Sequence, residues 1–512
     1  MTTTLFRNGT IRRLPGKAVA EWLLVEDSMV TAVGTGERPQ GDRVIDLDGG
    51  TLVPAFRDAH VHLPATGLYA TGLDFRGERR TRAIVEALAE RAVHSDAVLF
   101  GGNFEDPLDR PLTRFELDEA AGARPALVAR ADMHSCVVSS ALLEQLELTE
   151  LDGVDVDEHG VPTGYLRERA AAQAWTWFDR NMTAQEQRDL VRAAISLAYS
   201  KGIAEVHEMF VVEWRGWDSA EAFLDAVADV ALEVSLWLAT PDVERVVDMG
   251  LPRIGGDFFL DGSFGSHTAW LNEPYATHPP AGTPANGIPY RSDEELLDFF
   301  TRAQQAGLQA GVHAIGDAAI DQAIRTWEKV AADCGETEVR DLGHRIEHFE
   351  CASDDHIARA RRLGLRASVQ PTFDRYWGGP DGLYSNRIGW NRARDMNRFS
   401  TMLKAGLVLA AGSDSTVTPL DPFLQMAALR EHHRDDERMS ALEALRLHTM
   451  APAVLARHHA TRSTLEPGML ADLALLDRDP LSVSPGELVD TVVLGTWVAG
   501  HRVWPEDEAE TA

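Results

Sequence analysis

Two histidines separated by one residue, His60 and His62, follow an apolar run that begins at Leu52. In a β-strand, residues i and i+2 face the same side, so both imidazoles are expected to point in one direction. Two imidazoles on one side of a strand can bind a single metal ion. On its own such a pair is equally typical of solvated surface histidines, so further ligands must be found elsewhere in the chain.

Three other polar residues stand where apolar runs end, namely His313, His348 and Asp414. A lone histidine in such a place usually caps a strand or satisfies a buried hydrogen bond. Four histidines and an aspartate, all at strand ends, instead predict a metal site, because the carboxyl ends of parallel strands meet at one end of a barrel.

The elements that position these residues follow from the alternation of short apolar runs with helical stretches, which is typical of parallel β/α units. The strand candidates are residues 52–58, 203–207, 232–238, 254–260, 308–313, 344–348, 365–371 and 407–412. Eight strands close a (β/α)8 barrel, so the predicted fold class is an α/β TIM-type barrel. The long stretch between the first two candidates is predicted to fold as a separate lobe, and the alternating runs at both chain ends are expected to share one antiparallel sheet.

The composition excludes several classes of partner. The 512 residues include 49 basic and 80 acidic side chains, a formal net charge of −31, which repels nucleic-acid phosphates and anionic lipid surfaces. Three cysteines without a C-x-x-C pair, and an N-terminus without secretory features, favour a reducing cytoplasm. The sequence therefore predicts a cytoplasmic protein with a small-molecule substrate and no nucleic-acid or membrane partner. A homodimer is the default oligomer.

Six segments resemble the successive motifs of the amidohydrolase superfamily. They are PAFRDAHVH (54–62), DGSFGSHTA (261–269), HAIGD (313–317), RIEH (345–348), GSD (412–414) and EPGMLAD (466–472). They are most similar to amidohydrolase family 3, the YtcJ-like branch that includes N-substituted formamide deformylases. The resemblance implies a metal-dependent barrel, a small β-sandwich built from both chain ends, and hydrolysis of amide or related C–N bonds.

With that resemblance, three domains are predicted. They are a composite β-sandwich of residues 1–51 and 455–512, a metal-dependent barrel of residues 52–63 and 186–454, and an insertion lobe of residues 64–185 over the barrel mouth.

The chain departs from this family at Asp257. At this position, four residues before the Asp-Gly-Ser motif, the YtcJ-like branch has a lysine. That lysine is carboxylated and bridges two metals. Asp257 is predicted in the middle of the fourth strand, where an unpaired carboxylate is costly to bury. In one interpretation Asp257 bridges two ions. In a second, one ion is held by the other predicted ligands while His348 bonds the substrate. In a third, the metal is weakened or lost.

Five further residues are predicted substrate contacts: His134, His207, His267, Tyr376 and Trp377. His134 lies in a segment that resembles the family's Asp-Gly-His segment. His267 stands where the family commonly has arginine, with packing inside its loop as the alternative. His207 closes the second strand, with a structural role as the alternative. Tyr376 and Trp377 belong to an aromatic, glycine-hinged loop, 373–390, interpreted either as a lid or as a packed surface loop.

The resemblance also implies a mechanism. A divalent ion on imidazoles and a carboxylate lowers the pKa of bound water toward about 7. Asp414 would take the proton from the attacking water and pass it to the leaving nitrogen, while a second ion or His348 polarises the carbonyl. Zinc is the predicted ion, one or two per chain, with iron or manganese as alternatives.

The predicted enzyme is a metal-dependent amidohydrolase that cleaves an amide, formamide or related C–N bond. A decarboxylase, isomerase, esterase or lactonase on the same scaffold is the alternative, because a fold does not by itself determine a reaction. A metal-poor binding module is the third interpretation.

Overall fold

The structure is a computed structural model that describes residues 2–94, 98–105, 107–131, 135–148, 153–279 and 282–505. Its contacts divide the chain into two compact units. The first unit comprises Met1–His62, Ser196–Val211 and Asp229–Ala512, and the second comprises Leu63–Ile195 and Val212–Ala228. Strands and helices alternate through much of the chain, so the protein has the predicted α/β character.

The strands define three sheet regions of the first unit and one sheet of the second. In chain order they are β1 (Thr3–Arg12), β2 (Val19–Glu26), β3 (Met29–Gly34), β4 (Arg43–Asp46), β5 (Thr51–Pro54), β6 (Phe56–Val61), β7 (Leu73–Asp74), β8 (Leu99–Phe104), β9 (Ala126–Arg130), β10 (Ser135–Val138), β11 (Val154–Val156), β12 (Pro162–Arg167), β13 (Ile203–Val211), β14 (Glu233–Ala239), β15 (Arg253–Ile254), β16 (Gln309–Ala314), β17 (Arg345–His348), β18 (Arg366–Val369), β19 (Val408–Ala411), β20 (Leu473–Leu476), β21 (Val493–Val498) and β22 (His501–Trp504).

The helices lie mostly between these strands. In chain order they are α1 (Leu63–Thr71), α2 (Thr81–His94), α3 (Arg114–Ala121), α4 (Ser140–Leu143), α5 (Glu168–Asn181), α6 (Ala184–Ser200), α7 (Val212–Arg215), α8 (Trp217–Val227), α9 (Val243–Asp248), α10 (Asp293–Gln305), α11 (Asp317–Cys334), α12 (Glu336–Leu342), α13 (Asp354–Leu363), α14 (Pro371–Trp377), α15 (Leu383–Ile388), α16 (Trp390–Ala393), α17 (Phe399–Lys404), α18 (Pro422–Arg430), α19 (Ala441–Leu447), α20 (Met450–Leu455) and α21 (Pro485–Val489), with a short 3-10 turn at Asp435–Glu437. Among the helices of the described ranges, none is both long and apolar enough to cross a bilayer.

Both chain ends contribute strands to one eight-stranded sheet of the first unit. Its order is β22-β21-β20-β5-β1-β2-β3, with β4 beside β1. Burial alternates along β2, as expected for a sheet with one face on a core. Phe6, Leu23, Leu52 and Trp497 form part of that core, with the rings of Phe6 and Trp497 in edge-to-face contact.

Two parallel sheets of the first unit carry the residues predicted at strand ends. One has the order β14-β13-β6 and the other β15-β16-β17-β18-β19. Val61, at the end of β6, also forms a parallel bridge with Ser415, just beyond β19. Nearly every residue of these strands is buried, which is why they read in sequence as short continuous apolar runs.

The first predicted strand, 52–58, is two strands that belong to different sheets. β5 pairs with β20 in the terminal sheet, whereas β6 pairs with β13. The change of partner occurs at Ala55, whose N–H donates to Asp472, while the N–H of Phe56 donates to Gly202. A continuous apolar run shows no break at such a point because both strands are equally buried.

The fourth predicted strand is much shorter than expected, and Asp257 does not lie within it. β15 ends at Ile254, and Gly255 and Gly256 follow with φ of 87° and 74°. A Cβ at Gly255 would lie 2.0 Å from the carbonyl oxygen of Gly311, so only glycine fits there. The placement of Asp257 in mid-strand was therefore wrong. It follows a glycine turn that a strand cannot contain.

The predicted aromatic loop, 373–390, is largely helical. α14, α15 and α16 cover most of it, because the glycines end helices here instead of forming a flexible hinge. The N–H of Gly378 closes the end of α14 on Asp374, and Gly389, with φ of 78°, separates α15 from α16. The lid function of this segment stays a prediction.

The second unit has its own sheet and its own core. The sheet order is β11-β12-β10-β9-β8-β7. α3 begins with a capping box in which the side chains of Thr113 and Glu116 bond each other's backbone N–H groups. Apolar side chains of α2 and α3, such as Leu88 and Leu117, pack with Val128. This unit extends further along the chain than the predicted lobe, to Ile195, and also includes Val212–Ala228.

Candidate metal centre

Five predicted ligands converge around Asp257 in the first unit. His60 lies on β6 and His62 directly after it, His313 lies on β16, His348 ends β17, and Asp414 follows β19. All of these side chains are nearly fully buried except that of His62, which is 24% exposed. Parallel strands with their carboxyl ends together therefore deliver four imidazoles and two carboxylates to one place.

The two carboxylate oxygens of Asp257 face different pairs of histidines. Oδ2 lies 3.3 Å from His60 Nε2 and 3.2 Å from His62 Nε2. Oδ1 lies 3.6 Å from both His313 Nδ1 and His348 Nε2. The two histidines of β6 therefore point the same way, as their spacing predicted, and Asp257 stands between them and the second pair.

Asp414 approaches only the first of these pairs. Its Oδ1 lies 3.5 Å from His60 Nε2 and 3.2 Å from His62 Nε2. The N–H of Asp414 donates to the carbonyl of His60 at 2.8 Å, and a Cβ at Gly412 would lie 2.4 Å from the backbone nitrogen of His60. The glycine thus allows the close backbone approach that brings Asp414 to the histidines.

These contacts define two candidate ion positions. The first position comprises His60, His62, Asp414 and Asp257 Oδ2, and the second position comprises His313, His348 and Asp257 Oδ1. Ligand atoms of His60, His348 and Asp414 also lie within 4.8 Å of one another, so the two positions adjoin.

Each of the four histidines uses its other ring nitrogen on an oxygen acceptor. The four contacts are His60 Nδ1 to Glu347 Oε2 (3.0 Å), His62 Nδ1 to Met209 O (2.9 Å), His348 Nδ1 to Gln370 Oε1 (2.8 Å) and His313 Nε2 to Gly262 O (3.3 Å). These oxygens accept and do not donate, so the imidazole proton sits on the nitrogen that faces them. In the neutral form of each ring, the remaining nitrogen then directs a lone pair toward Asp257, as a metal ligand requires.

The residues fit a divalent cation. His60 Nε2, His313 Nδ1 and Asp257 Oδ1 are buried and have no hydrogen-bond partner within the described part of the chain, and such atoms are rare in folded proteins. Burial opposes protonation of His62, yet hydrogen bonds to Asp257 and Asp414 and their charges raise its pKa to about 10. The field of the two carboxylates therefore favours positive charge between the histidines.

Sequence reasoning missed the buried pair that supports His60. Arg345 donates to both oxygens of Glu347, from Nε at 2.8 Å and from Nη2 at 2.7 Å. Burial of Glu347 opposes its charge, but the Arg345 guanidinium outweighs this and lowers its pKa to about 2. The available signal was an arginine and a glutamate at i and i+2 in a short apolar strand, which places both on the same side.

His207 lies in the interior beside this pair. It is fully buried, its Nδ1 accepts from Arg345 Nη1 at 2.8 Å, and its Nε2 is 3.4 Å from Glu205. Burial lowers the pKa of His207 to about 4. This environment supports the structural alternative, and a substrate contact by His207 stays a prediction.

The other predicted substrate contacts are dispersed. His267 is buried, with Nε2 3.0 Å from Thr277 Oγ1 and its ring 4.9 Å from that of Tyr275, as expected of packing within its loop. Tyr376 is 47% exposed, and the ring of Trp377 packs at 4.6 Å on Phe373. His134 lies outside the described residues. Their substrate roles stay predictions.

A second buried group, formed by Asp374, His432 and His433, also has ligand atoms within 4.8 Å of one another. The Nδ1 of His432 accepts from the N–H of Arg434 at 3.1 Å, so its Nε2 carries the proton and donates to Asn397 O at 2.9 Å. His433 Nδ1 bonds Asp374, and its Nε2 lies 3.2 Å from a backbone carbonyl. The ring nitrogens of both histidines are thus already bonded within the protein.

Comparison with known families decides the identity of the chain. The family model described as the amidohydrolase family matches residues 43–504. The chain belongs to the amidohydrolase family. The resemblance inferred from the six motifs is thereby confirmed.

Relatives of this amidohydrolase are similar over almost their full length. YtcJ of Bacillus subtilis (strain 168) is 27% identical over 532 residues, covering 94% of this chain and 96% of that protein. N-substituted formamide deformylase of Arthrobacter pascens is 26% identical over 561 residues, covering 98% of each. Among solved structures, an uncharacterised metal-dependent hydrolase from Pyrococcus furiosus matches with a TM-score of 0.77 and 27% identity, covering 94% of this chain and 100% of that one. Together with the histidine and aspartate groups, these matches support a metal-dependent hydrolase with a divalent ion.

Proposed function

We propose that this amidohydrolase hydrolyses an amide, formamide or related C–N bond of a small molecule. The observation that carries the proposal is the position of Asp257, whose two oxygens each face a pair of imidazole nitrogens. The similarity to an N-substituted formamide deformylase over 98% of the chain supports this bond class.

His60, His62, Asp414 and Asp257 would hold one divalent ion, and His313 and His348, with Asp257, would hold a second. Zinc suits this histidine-rich set. When bound, such ions lower the pKa of water and polarise the substrate carbonyl.

The chain's own residues then handle the proton. Asp414 presents a buried carboxylate to the histidines of β6, where it accepts the proton of the attacking water and returns it to the leaving nitrogen. Burial excludes bulk water from this carboxylate, which favours a directed transfer. His134, His207, His267, Tyr376 and Trp377 remain the proposed substrate contacts.

We also propose that the parallel strands of the first unit form the barrel that the family resemblance implies. β6 and β13 to β19 supply eight parallel strands, and the bridge between Val61 and Ser415 supports their closure into a (β/α)8 barrel. The terminal sheet then corresponds to the β-sandwich of the family and the second unit to the insertion lobe. A cytoplasmic location is proposed from the three scattered cysteines, and a homodimer because it is the commonest oligomer.

Two measurements test the function. Elemental analysis of protein purified without chelator is expected to find about two divalent ions per chain. A panel of N-formyl, N-acyl and cyclic C–N compounds, with matched esters and lactones, is then assayed for release of amine or ammonia. Turnover that is confined to C–N compounds, lost on chelation and restored by zinc or manganese supports the proposal. A folded protein without bound divalent ions, or one that turns over only esters or lactones, contradicts it.

A further inference from the structure

The four ligand histidines differ in the charge of the group behind them. Met209, Gly262 and Gln370 offer neutral carbonyl oxygens to three of the rings. His60 alone among the four hydrogen-bonds a carboxylate, Glu347, at 3.0 Å. The Asp261 carboxylate lies 3.7 Å from His313 Nε2 without a hydrogen bond to it, and its oxygens accept instead from the backbone N–H groups of Trp270, Ile315 and Gly316. A carboxylate behind an imidazole makes the ring a stronger metal ligand and fixes its orientation.

Glu347 is itself held in one orientation. Its two oxygens receive the Nε and Nη2 donors of Arg345, and both side chains are fully buried. Arg345 is fixed in turn by the carbonyl of Ala59 at 2.8 Å and by His207 Nδ1 at 2.8 Å. Because Arg345 holds both oxygens of Glu347, the carboxylate is preorganised in the rotamer that directs one oxygen at His60.

The two ion positions therefore offer unequal ligand fields. The first position combines His60 and its carboxylate partner with the charges of Asp414 and one oxygen of Asp257. At the second position, the two rings hydrogen-bond neutral acceptors and face the other oxygen of Asp257. The Asp261 carboxylate lies behind His313, at 3.7 Å from its Nε2, and does not hydrogen-bond the ring. Both the number of charges and the support behind the rings favour the first position.

We propose that Glu347, clamped by Arg345, is a positioning residue that makes the first position bind its divalent ion more tightly than the second. The inference rests on the proposed function in that it takes these residues as the metal ligands. It implies that a chelator removes the ion of the second position before that of the first.

The test is a titration of metal-free protein with Zn²⁺ in competition with a chromophoric chelator. The wild type is expected to show two classes of site with different affinities. Glu347→Gln keeps the shape and removes the charge, and it should weaken the tight class by about 10- to 100-fold, which is the usual effect of removing such a partner. The weak class should stay within about threefold, since the rings of His313 and His348 bond Gly262 and Gln370 and not the side chain of Glu347.

Two control variants separate this effect from general destabilisation. Glu437→Gln removes another buried carboxylate, which accepts from the N–H of Thr401 at 2.9 Å and, in the described structure, hydrogen-bonds none of the four ligand histidines. It should lower thermal stability and leave both affinity classes unchanged. Gln370→Met removes the acceptor behind His348 and should weaken the weak class alone.

The outcomes are decisive in either direction. An unchanged tight class in folded Glu347→Gln, or two equal classes in the wild type, would overturn the proposal. If Glu347→Gln does not fold, Glu347→Asp retains the charge with a shorter reach and should weaken the tight class in part. An unchanged tight class in that variant counts against Glu347.

A measurement on the wild type needs no variant at all. In zinc-loaded protein with ¹⁵N-labelled histidine, the ring N–H proton of His60 should resonate further downfield than the ring N–H protons of the other three ligand histidines. The reason is that its acceptor, Glu347, is a carboxylate. Equal resonances would contradict the inference. Neither experiment uses a substrate. Unequal affinities without C–N hydrolysis would therefore refute only the proposed function, and hydrolysis with equal affinities would refute only this inference.

Discussion

Two buried groups of histidine and aspartate in the first unit have ligand atoms close enough to hold an ion, yet their hydrogen bonds differ. Around Asp257, each histidine bonds an oxygen acceptor with one nitrogen and turns the other toward a carboxylate. Around Asp374, His432 uses both nitrogens on the backbone, and His433 bonds Asp374 with one nitrogen and faces a carbonyl with the other.

The difference teaches that residue type and proximity do not define a metal site. Unmet bonding capacity does, because a buried lone pair without a donor is costly unless a cation takes it up. His60 Nε2, His313 Nδ1 and Asp257 Oδ1 have such unmet capacity. The Asp374 group is a hydrogen-bonded structural unit that ties α14 to the segment after α18.

The largest expected effect is on catalysis. Asp414→Asn keeps the shape of the side chain and removes the base, so turnover should fall by at least about 100-fold. The matched variant Asp374→Asn, in the other group, should keep turnover within about threefold of the wild type. Steady-state kinetics of amine release on zinc-loaded proteins checks both, and near-normal turnover of Asp414→Asn would refute the proposed base.

Removal of the bridging charge should change the metal content. Asp257→Asn leaves a neutral amide between two histidine pairs, so bound zinc should fall from about two ions per chain to one or none. Elemental analysis of zinc-saturated protein after rapid desalting measures this. Two retained ions would show that Asp257 is not a bridging ligand, whereas Asp374→Asn should leave the content unchanged.

Removal of metal by a chelator should lower the stability of the fold through the group around Asp257 and not through the group around Asp374. An ion that binds only the folded state at a concentration 100-fold above its dissociation constant contributes about 2.7 kcal/mol. Denaturant unfolding with and without chelator should show a loss of that order in the wild type and an equal loss in Asp374→Asn. No loss in the wild type would mean that the ligands do not hold an ion in the folded state.

The group around Asp374 should stabilise the fold even when no metal is bound. Asp374→Asn breaks charge-assisted hydrogen bonds to His433 in a buried setting, with an expected cost of about 1–3 kcal/mol in the free energy of unfolding. Chemical denaturation of the chelated proteins isolates this cost. A cost that appears only in the presence of zinc would reassign the Asp374 group as a metal site.

The smallest expected effect is a pH dependence of that second group. Burial opposes protonation of His433, but the hydrogen bond to Asp374 and its charge raise the pKa of His433 above its usual value. A raised pKa contributes stability below the unfolded-state value and loses it as the pH rises through the folded-state value. The stability difference between wild type and His433→Gln should therefore be largest below the usual histidine pKa of about 6.5 and shrink as the pH rises above it. A difference that grows over this range would contradict the ion pair.

Local patterns in the sequence were enough to identify the candidate ligands that the structure brings together. The i, i+2 spacing of His60 and His62, and the position of His313 and His348 at the ends of apolar runs, depend only on strand periodicity. Asp257 was identified as a candidate by its place before the Asp-Gly-Ser motif, but its mid-strand location was wrong. Its side chain reaches both histidine pairs because Gly255 and Gly256 turn the chain after β15.

Partners that are distant in sequence could not be predicted in the same way. Glu347 behind His60, Met209 behind His62 and Gln370 behind His348 come from different strands, and no local pattern pairs them. The switch of partner at Ala55 and the helices that replace the aromatic loop are further examples, since both depend on which neighbour is available after the chain has packed.

By itself, the sequence determined the family, the α/β class and the set of candidate metal ligands, because these follow from residue types at short, regular spacings. Only the tertiary structure decided which nitrogen of each histidine points inward, which oxygen of Asp257 each pair faces, and which carboxylate stands behind His60. Such choices depend on distances between separate strands, and those distances exist only once the strands have packed together.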